Sequence, residues 1–104
     1  IFALPTLSES WPLSVGQALM LEVPVIATKG APFPELNEKG CGDWVDHGPG
    51  AMAEALASMM SLSSSKRRAM GQLGKLWVST ELSWVSIAKR FIVVYDELIT
   101  RETP

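Results

Sequence analysis

Two short apolar segments, residues 2–6 and 23–28, flank a polar loop and a stretch of helical character, and that arrangement admits few folds. Val25 and Ile26 are β-branched, as suits a strand buried on both faces. Pro24 stands where a strand tolerates proline, at its first position. Between the segments, residues 15–21 read as a short helix, with Ser14 as N-cap and Pro12 ahead of it fixing the approach of the chain. Strand, loop, helix, strand is the unit of a parallel sheet. In such sheets the carboxyl end of a strand, facing the amino end of the next helix, is where phosphorylated ligands bind. The loop carries Glu9 to that place. Ile1 already falls in the first strand, so the chain reads as starting inside an element.

The remainder is one loop-rich stretch and three helices. Residues 29–43 hold two prolines and three glycines, enough to break any long element. Residues 34–37 allow a single helical turn, and Trp44 and Val45 a short extra strand. Gly40 and Gly42 suggest positive backbone dihedrals or close backbone approach. Pro49 suits the first turn of a helix whose apolar stripe is Met52, Ala53, Leu56, Met59 and Met60. Ser63 caps a second helix running to about Thr80, with Met70, Leu73, Trp77 and Val78 on its apolar face. Gly71 and Gly74 lower its propensity and point to close helix packing. Ser83 caps the last helix, whose stripe of Trp84, Ile87, Ala88, Phe91, Val94, Tyr95 and Leu98 keeps 3, 4 spacing over four turns. Residues 101–104 read as a frayed tail.

The predicted class is α/β, a partial Rossmann-like parallel sheet with flanking helices. At 104 residues it is a single domain, 1–104. Two strands with one crossover helix are incomplete, since a parallel pair wants more strands and both faces covered. The chain therefore reads as the end of a larger doubly wound domain, with exposed apolar surface that favours a homo-oligomer.

Composition excludes other classes. No apolar run reaches the roughly 18 residues of a membrane span, and the amino-terminal segment lacks the layout of a signal peptide. The single cysteine, Cys41, permits no internal disulfide and no all-protein metal cluster, and points to a reducing, cytoplasmic location. Residues 1–60 carry seven acidic and two basic side chains, whereas residues 61–104 carry four and seven. Lys66-Arg67-Arg68 is the only dense basic run, too small a face for nucleic acid and better read as a solvated helix surface.

The segment from Leu4 to Gly42 resembles the C-terminal nucleotide-sugar-binding domain of group 1 retaining glycosyltransferases, enzymes of the two-domain GT-B fold. The residues that carry the likeness are Pro5-Thr6, Ser8-Glu9, Ala18, Pro24-Val25-Ile26-Ala27-Thr28 and Glu35-Leu36. Arg68, Met70-Gly71, Trp77-Val78 and Ser83-Trp84 resemble the family's closing helices. The resemblance implies a nucleoside-diphosphate sugar as substrate, glycosyl transfer to an acceptor, no cofactor and no metal. It also implies an upstream part of the enzyme as partner, supplying the acceptor domain and a basic Arg and Lys pair for the diphosphate. A membrane-peripheral location of the intact enzyme fits the same likeness.

In that family two glutamates stand with seven residues between them. The first contacts the donor sugar and the second holds the ribose. Glu9 matches the first, and Gln17 stands in place of the second. Trp11-Pro12 replaces Phe-Gly. A neutral Gln17 still accepts from a ribose hydroxyl, but without the charge that strengthens the bond. Pro12 removes a backbone N–H and glycine's freedom near the sugar. Weaker or altered donor binding is the expectation, and transfer by these residues alone is not.

The candidate site follows from these residues. Glu9 binds the donor sugar, Gln17 the ribose, and the backbone of Ser14, Val15 and Gly16 the diphosphate. Thr6, Trp11, Lys29 and Gly30 are candidate cleft-lining residues. Each has a plainer alternative. Glu9 is otherwise a solvated loop acid, Gln17 a polar residue on an exposed helix face, Lys29 a surface lysine and Trp11 a loop-closing anchor. His47 reads as a turn or cap residue, and Cys41 as a small buried apolar one. A non-catalytic binding or oligomerisation module that keeps the fold is the competing reading.

Overall fold

The central strand of the sheet is buried along its whole length, and the layers are organised around it. The computed structural model describes residues 1–102. Strand β1 (Phe2–Leu4) pairs parallel with β2 (Val25–Thr28), Phe2 opposite Val25, and β2 pairs parallel with β3 (Gly42–Val45), Val25 opposite Gly42. The order is β1-β2-β3. Helix α1 (Leu13–Met20) forms the first crossover and the four-residue α2 (Glu35–Glu38) lies in the second. The chain closes with α3 (Pro49–Met60), α4 (Ser64–Glu81) and α5 (Trp84–Glu102). The expected partial Rossmann-like sheet with flanking helices is present, with β3 as a full third strand.

Alternation along β2 divides the core in two. Val25 and Ala27 face a cluster with Val15, Leu19, Phe33, Leu36, Cys41 and Trp77. Ile26 faces Met52, Ala55 and Met59 of α3. The strands are shorter than their apolar runs. β1 stops at Leu4 because Pro5 has no N–H for a ladder. β2 starts at Val25 because Pro24 lacks a donor and Val23 spends its N–H on the Ala18 carbonyl, 2.9 Å away. That bond and Glu22 N–H to Leu19 C=O (3.0 Å) form a Schellman turn closing α1. Its left-handed position is held by Glu22, φ 60°, where glycine is the usual occupant.

Ser14 does not cap α1. Pro12, extended at φ −72° and ψ 111°, takes the cap position, so Ser14 falls inside the first turn. The expected cap at Ser63 is formed, its Oγ accepting from Lys66 N–H at 3.2 Å. Ser83 likewise accepts from Ser86 N–H at 3.1 Å at the start of α5. On α3 the buried set is Met52, Ala55 and Met59, while Ala53 and Met60 are exposed. The helix meets β2 through positions three and four apart, and the next residue round turns to solvent. Within the basic run, Arg67 is not a solvated face residue. Its guanidinium donates to the carbonyls of Met59, Met60 and Leu62, capping α3.

Helix α4 buries Gly71, Gly74 and Trp77, while Leu73 of the expected stripe is exposed. The glycines are there for close approach. A Cβ on Gly71 would overlap the Glu22 carbonyl, and one on Gly74 would meet Leu19 Cδ2 at 2.6 Å and Cys41 Cβ at 3.1 Å. Glu81, at the other end of α4, binds both Lys39 Nζ (2.9 Å) and Trp77 Nε1 (3.1 Å).

Helix α5 departs from the body. The molecule measures 60 × 28 × 19 Å with a radius of gyration of 16.6 Å. A compact domain of this length has about 13 Å. The expected apolar stripe of α5 is real, yet apart from the half-buried Ile87 its members are exposed. The helix continues through Arg101 to Glu102, and the last two positions of the expected frayed tail, 103 and 104, lie outside the described residues. Among the described residues no helix is long and apolar enough to cross a membrane.

Two substitutions of opposite sign test this packing. Helix propensity alone makes Gly71→Ala stabilising by about 1 kcal/mol. Overlap with the Glu22 carbonyl instead makes it destabilising by about 1–3 kcal/mol. Glu22→Gly relieves a left-handed non-glycine residue and gains about 1 kcal/mol. It sacrifices only a 3.7 Å exposed pair with Lys75. Urea unfolding of both variants checks the two signs.

Candidate functional site

The loop over residues 5–12, leaving the carboxyl end of β1 for α1, is pinned to its neighbours. Buried Thr28, at the end of β2, donates its hydroxyl to the Thr6 carbonyl. Glu9 N–H donates to the Gly30 carbonyl at 2.9 Å. Gly30 permits this close course, since a Cβ there would lie 2.7 Å from the Thr6 oxygen and closer still to Leu7. The Trp11 ring stacks obliquely on Phe33 with centroids 4.7 Å apart. His47 Nε2 lies 3.3 Å from the Leu7 carbonyl oxygen. His47, read as a turn residue, thus joins the loop to the end of β3.

These anchors bring Thr6, Glu9 and Gly30 together at the carboxyl ends of β1 and β2. Glu9 Oε1 is 3.5 Å from Thr6 Oγ1, a long hydrogen bond, and its carboxylate is exposed. The first turn of α1 follows. Val15 N–H is spent on the Pro12 carbonyl at 3.2 Å. Leu13 and Ser14, the first two helical residues, are by position those whose N–H groups have no intrahelical acceptor. The donor set therefore lies one to two residues ahead of the Ser14–Gly16 set read from the sequence, because Pro12 and not Ser14 is the cap.

On the α1 side an apolar cleft of about 710 Å³ opens, within the usual range for small-molecule sites. Trp11, Gly16 and Gln17 line it with Phe33, and Leu82 and Trp84 form its far wall. A Cβ on Gly16 would meet nothing within 4 Å, so this wall is open. A second hollow of about 510 Å³ lies over the other face of the sheet, lined by Thr6, Thr28, His47 and Met52. Thr6 thus borders one cavity while Trp11 and Gln17 border the other, with the pinned loop between them.

Lys29 stands apart from both cavities. Its ammonium pairs with Asp46 at 2.9 Å and lies 5.8 Å from the centre of the Trp44 ring, in a shallow hollow beside β3. The Lys29 ammonium holds the Asp46 carboxyl below the usual carboxylate range. Sequence reasoning missed two residues here. Thr28 holds the strand ends together, and its signal was a hydroxyl ending an otherwise apolar strand. Phe33 floors the cleft, and its partner lies 22 residues earlier, beyond the reach of local pattern. Among the described residues no group of three or more His, Cys, Asp or Glu side chains is placed to hold a metal ion.

The family model described as glycosyl transferases group 1 matches residues 1–77, from β1 into the last turns of α4. No curated protein matches the chain.

Thr28→Val keeps the shape of the side chain and removes the hydroxyl that the Thr6 carbonyl accepts from. We expect a loss of about 1–2 kcal/mol in unfolding free energy and faster amide exchange over residues 6–9. The Lys29–Asp46 pair adds a pH dependence. A lowered Asp46 pKa contributes stability that is present above the unfolded-state value and is lost as pH falls through the folded one. Asp46→Asn should flatten the acid limb of the stability curve in that range.

Proposed function

The chain belongs to the glycosyl transferases group 1 family, and we propose that it holds a nucleoside-diphosphate sugar whose glycosyl group passes to an acceptor. What supports the reading most is the pinned loop. It sets the Glu9 carboxylate at the strand ends and Gln17 on the wall of an apolar cleft, with the first turn of α1 between them. These are the three kinds of contact a nucleotide sugar needs.

Glu9 accepts hydrogen bonds from the sugar hydroxyls, beside Thr6 and Gly30. The N–H groups at the start of α1 meet the diphosphate, aided by the positive end of the helix dipole. Gln17 accepts from a ribose hydroxyl, and the base rests on Trp11 within the cleft. Lys29 is committed to Asp46 and takes no part. Neutralising the developing charge on the departing nucleoside diphosphate needs cations beyond a helix end. We assign that task to a basic pair in a preceding part of the enzyme, with this chain as the C-terminal, donor-binding part. The competing reading is a binding or oligomerisation module without chemistry. It is favoured by the neutral Gln17 and by the exposed apolar face of α5.

Calorimetric titration with uridine, guanosine and adenosine diphosphate sugars tests the site. Glu9→Ala weakens binding. Gln17→Glu tightens it by about 1 kcal/mol, because a charged acceptor bonds a hydroxyl more strongly than a neutral one, less some repulsion from the diphosphate. Gly16→Ala raises the stability of the free chain by about 0.5–1 kcal/mol and weakens binding, since its methyl enters the open wall of the cleft. Absence of binding by all forms overturns the proposal, as does binding indifferent to residues 9, 16 and 17.

A further inference from the structure

Beyond the residues that border the cleft, we propose that Trp44 is a positioning residue for Glu9. Its indole, steadied by the Asn37 carboxamide, fixes the loop over residues 29–33 against which the Glu9 loop is pinned. What that loop serves rests on the donor-binding reading above. Two residues of the 29–33 loop touch the candidate site. The Gly30 carbonyl accepts from Glu9 N–H at 2.9 Å, and Phe33 carries the Trp11 ring. Ala31, wholly buried, stands between them. Its N–H donates to the Thr28 carbonyl at 3.0 Å, and its carbonyl accepts from Phe33 N–H at 2.9 Å across Pro32. Both bonds close local turns, which shape the loop without fixing it to another element. Trp44 supplies that fixture. From β3, thirteen residues further along the chain, its Nε1 donates to the Ala31 carbonyl at 2.7 Å. The carbonyl it holds is the next along the chain from the one that holds Glu9.

Trp44 can serve as a fixed post because its backbone is held from outside the sheet. Lys29 N–H donates to the Val45 carbonyl at 2.8 Å and Val25 N–H to the Cys41 carbonyl at 3.3 Å, so the odd-numbered residues of β3 turn their peptide groups toward β2. Those of Trp44 therefore point the other way, from the edge of the three-stranded sheet. Asn37 of α2 meets them there. Its Oδ1 accepts from Trp44 N–H at 3.1 Å, and its Nδ2 donates to the Trp44 carbonyl at 3.4 Å. A carboxamide carries a donor and an acceptor on one end, as a neighbouring strand would. A carboxylate could meet the N–H alone, and an alanine neither group. The indole is also half-buried against the core cluster that includes Val25 and Ala27, so packing aims its N–H as well. The contacts run in series, from Asn37 to the Trp44 backbone, through the indole to Ala31, and from Gly30 to Glu9.

Amide exchange on the free full chain, with calorimetric titration of uridine, guanosine and adenosine diphosphate sugars, tests the series. Trp44→Phe keeps an aromatic ring against the core and removes the indole N–H. It should speed exchange of the Glu9 amide about 5- to 10-fold and weaken donor binding about 3- to 10-fold, with Ile26 and Ala27 of β2 unchanged. Asn37→Ala should act in the same direction to a smaller extent, and Asn37→Asp should fall between it and the wild type. The double variant should loosen Glu9 no further than Trp44→Phe alone, because residues acting in series are not additive. If Trp44→Phe does not fold, Asn37→Ala, at the surface, decides in its place. A Glu9 amide that keeps its wild-type rate overturns the proposal. So does equal acceleration at Ile26 and Ala27, which would make the indole a general prop of the sheet. Additive effects in the double variant, or unchanged donor affinity in a variant whose Glu9 amide has loosened, overturn it as well. A wild type that binds no donor sinks the donor reading instead, and Glu9 exchange then upholds or overturns the positioning role by itself.

Discussion

The contact on which the remaining structure depends is backbone against backbone. Helix α4 lies directly on the turn that ends α1, with Gly71 against Glu22 and Gly74 against Leu19 and Cys41. Two missing methyl groups allow it. Because α4 comes this close, Trp77 reaches the sheet, and Glu81 can join the Trp77 indole to Lys39 beyond α2. Because the turn is held from outside, Glu22 stays in a conformation that a glutamate otherwise avoids, and Pro24 is delivered to the head of β2. The position of α1, and with it the loop that carries Glu9, follows from that one seam.

The fold was largely legible because its signals are local. Val25 and Ile26 mark the central strand, Ser63 and Ser83 mark caps, and Gly71 and Gly74 announce close packing by their cost to a helix. The errors share a cause, which is that local preference met a non-local claim on the same atoms. Ser14 looks like a cap until Pro12 occupies the place. Arg67 looks like a surface charge until the end of α3 passes beside it. The apolar pattern of α3 lies one position round the helix from its buried face, because sequence shows which residues are apolar and not where the sheet lies. The α5 stripe is plain in the sequence, but amphipathicity records only that a face is apolar. It does not record whether the same chain covers it.

The candidate site was legible as a place more than as a set of contacts. The strand end, the loop acid and the helix start are consecutive in sequence, so Thr6, Glu9 and the first turn of α1 could be put together without a structure. Thr28, Phe33 and His47, which clamp the loop, come from later segments, and their part appears only in three dimensions. The loop is held from several sides before any ligand arrives. The replacement of Phe-Gly by Trp11-Pro12 fits that arrangement, since the proline sets the cap and the indole reaches Phe33. A loop built this way spends little entropy on ordering itself and has little freedom to adapt to ligands of different shape.

Cys41 lies wholly buried beneath Gly74, where burial pushes its thiol pKa up. A thiol reagent attacks the thiolate, so alkylation requires α4 to lift from the sheet and the proton to leave. The only sulfhydryl of the chain therefore serves as a clock on the seam. Its labelling rate counts openings of α4 in the native state, one event at a time, without perturbing the packing it reports on. A variant that loosens the glycine contact shortens that interval well before any loss of secondary structure is visible.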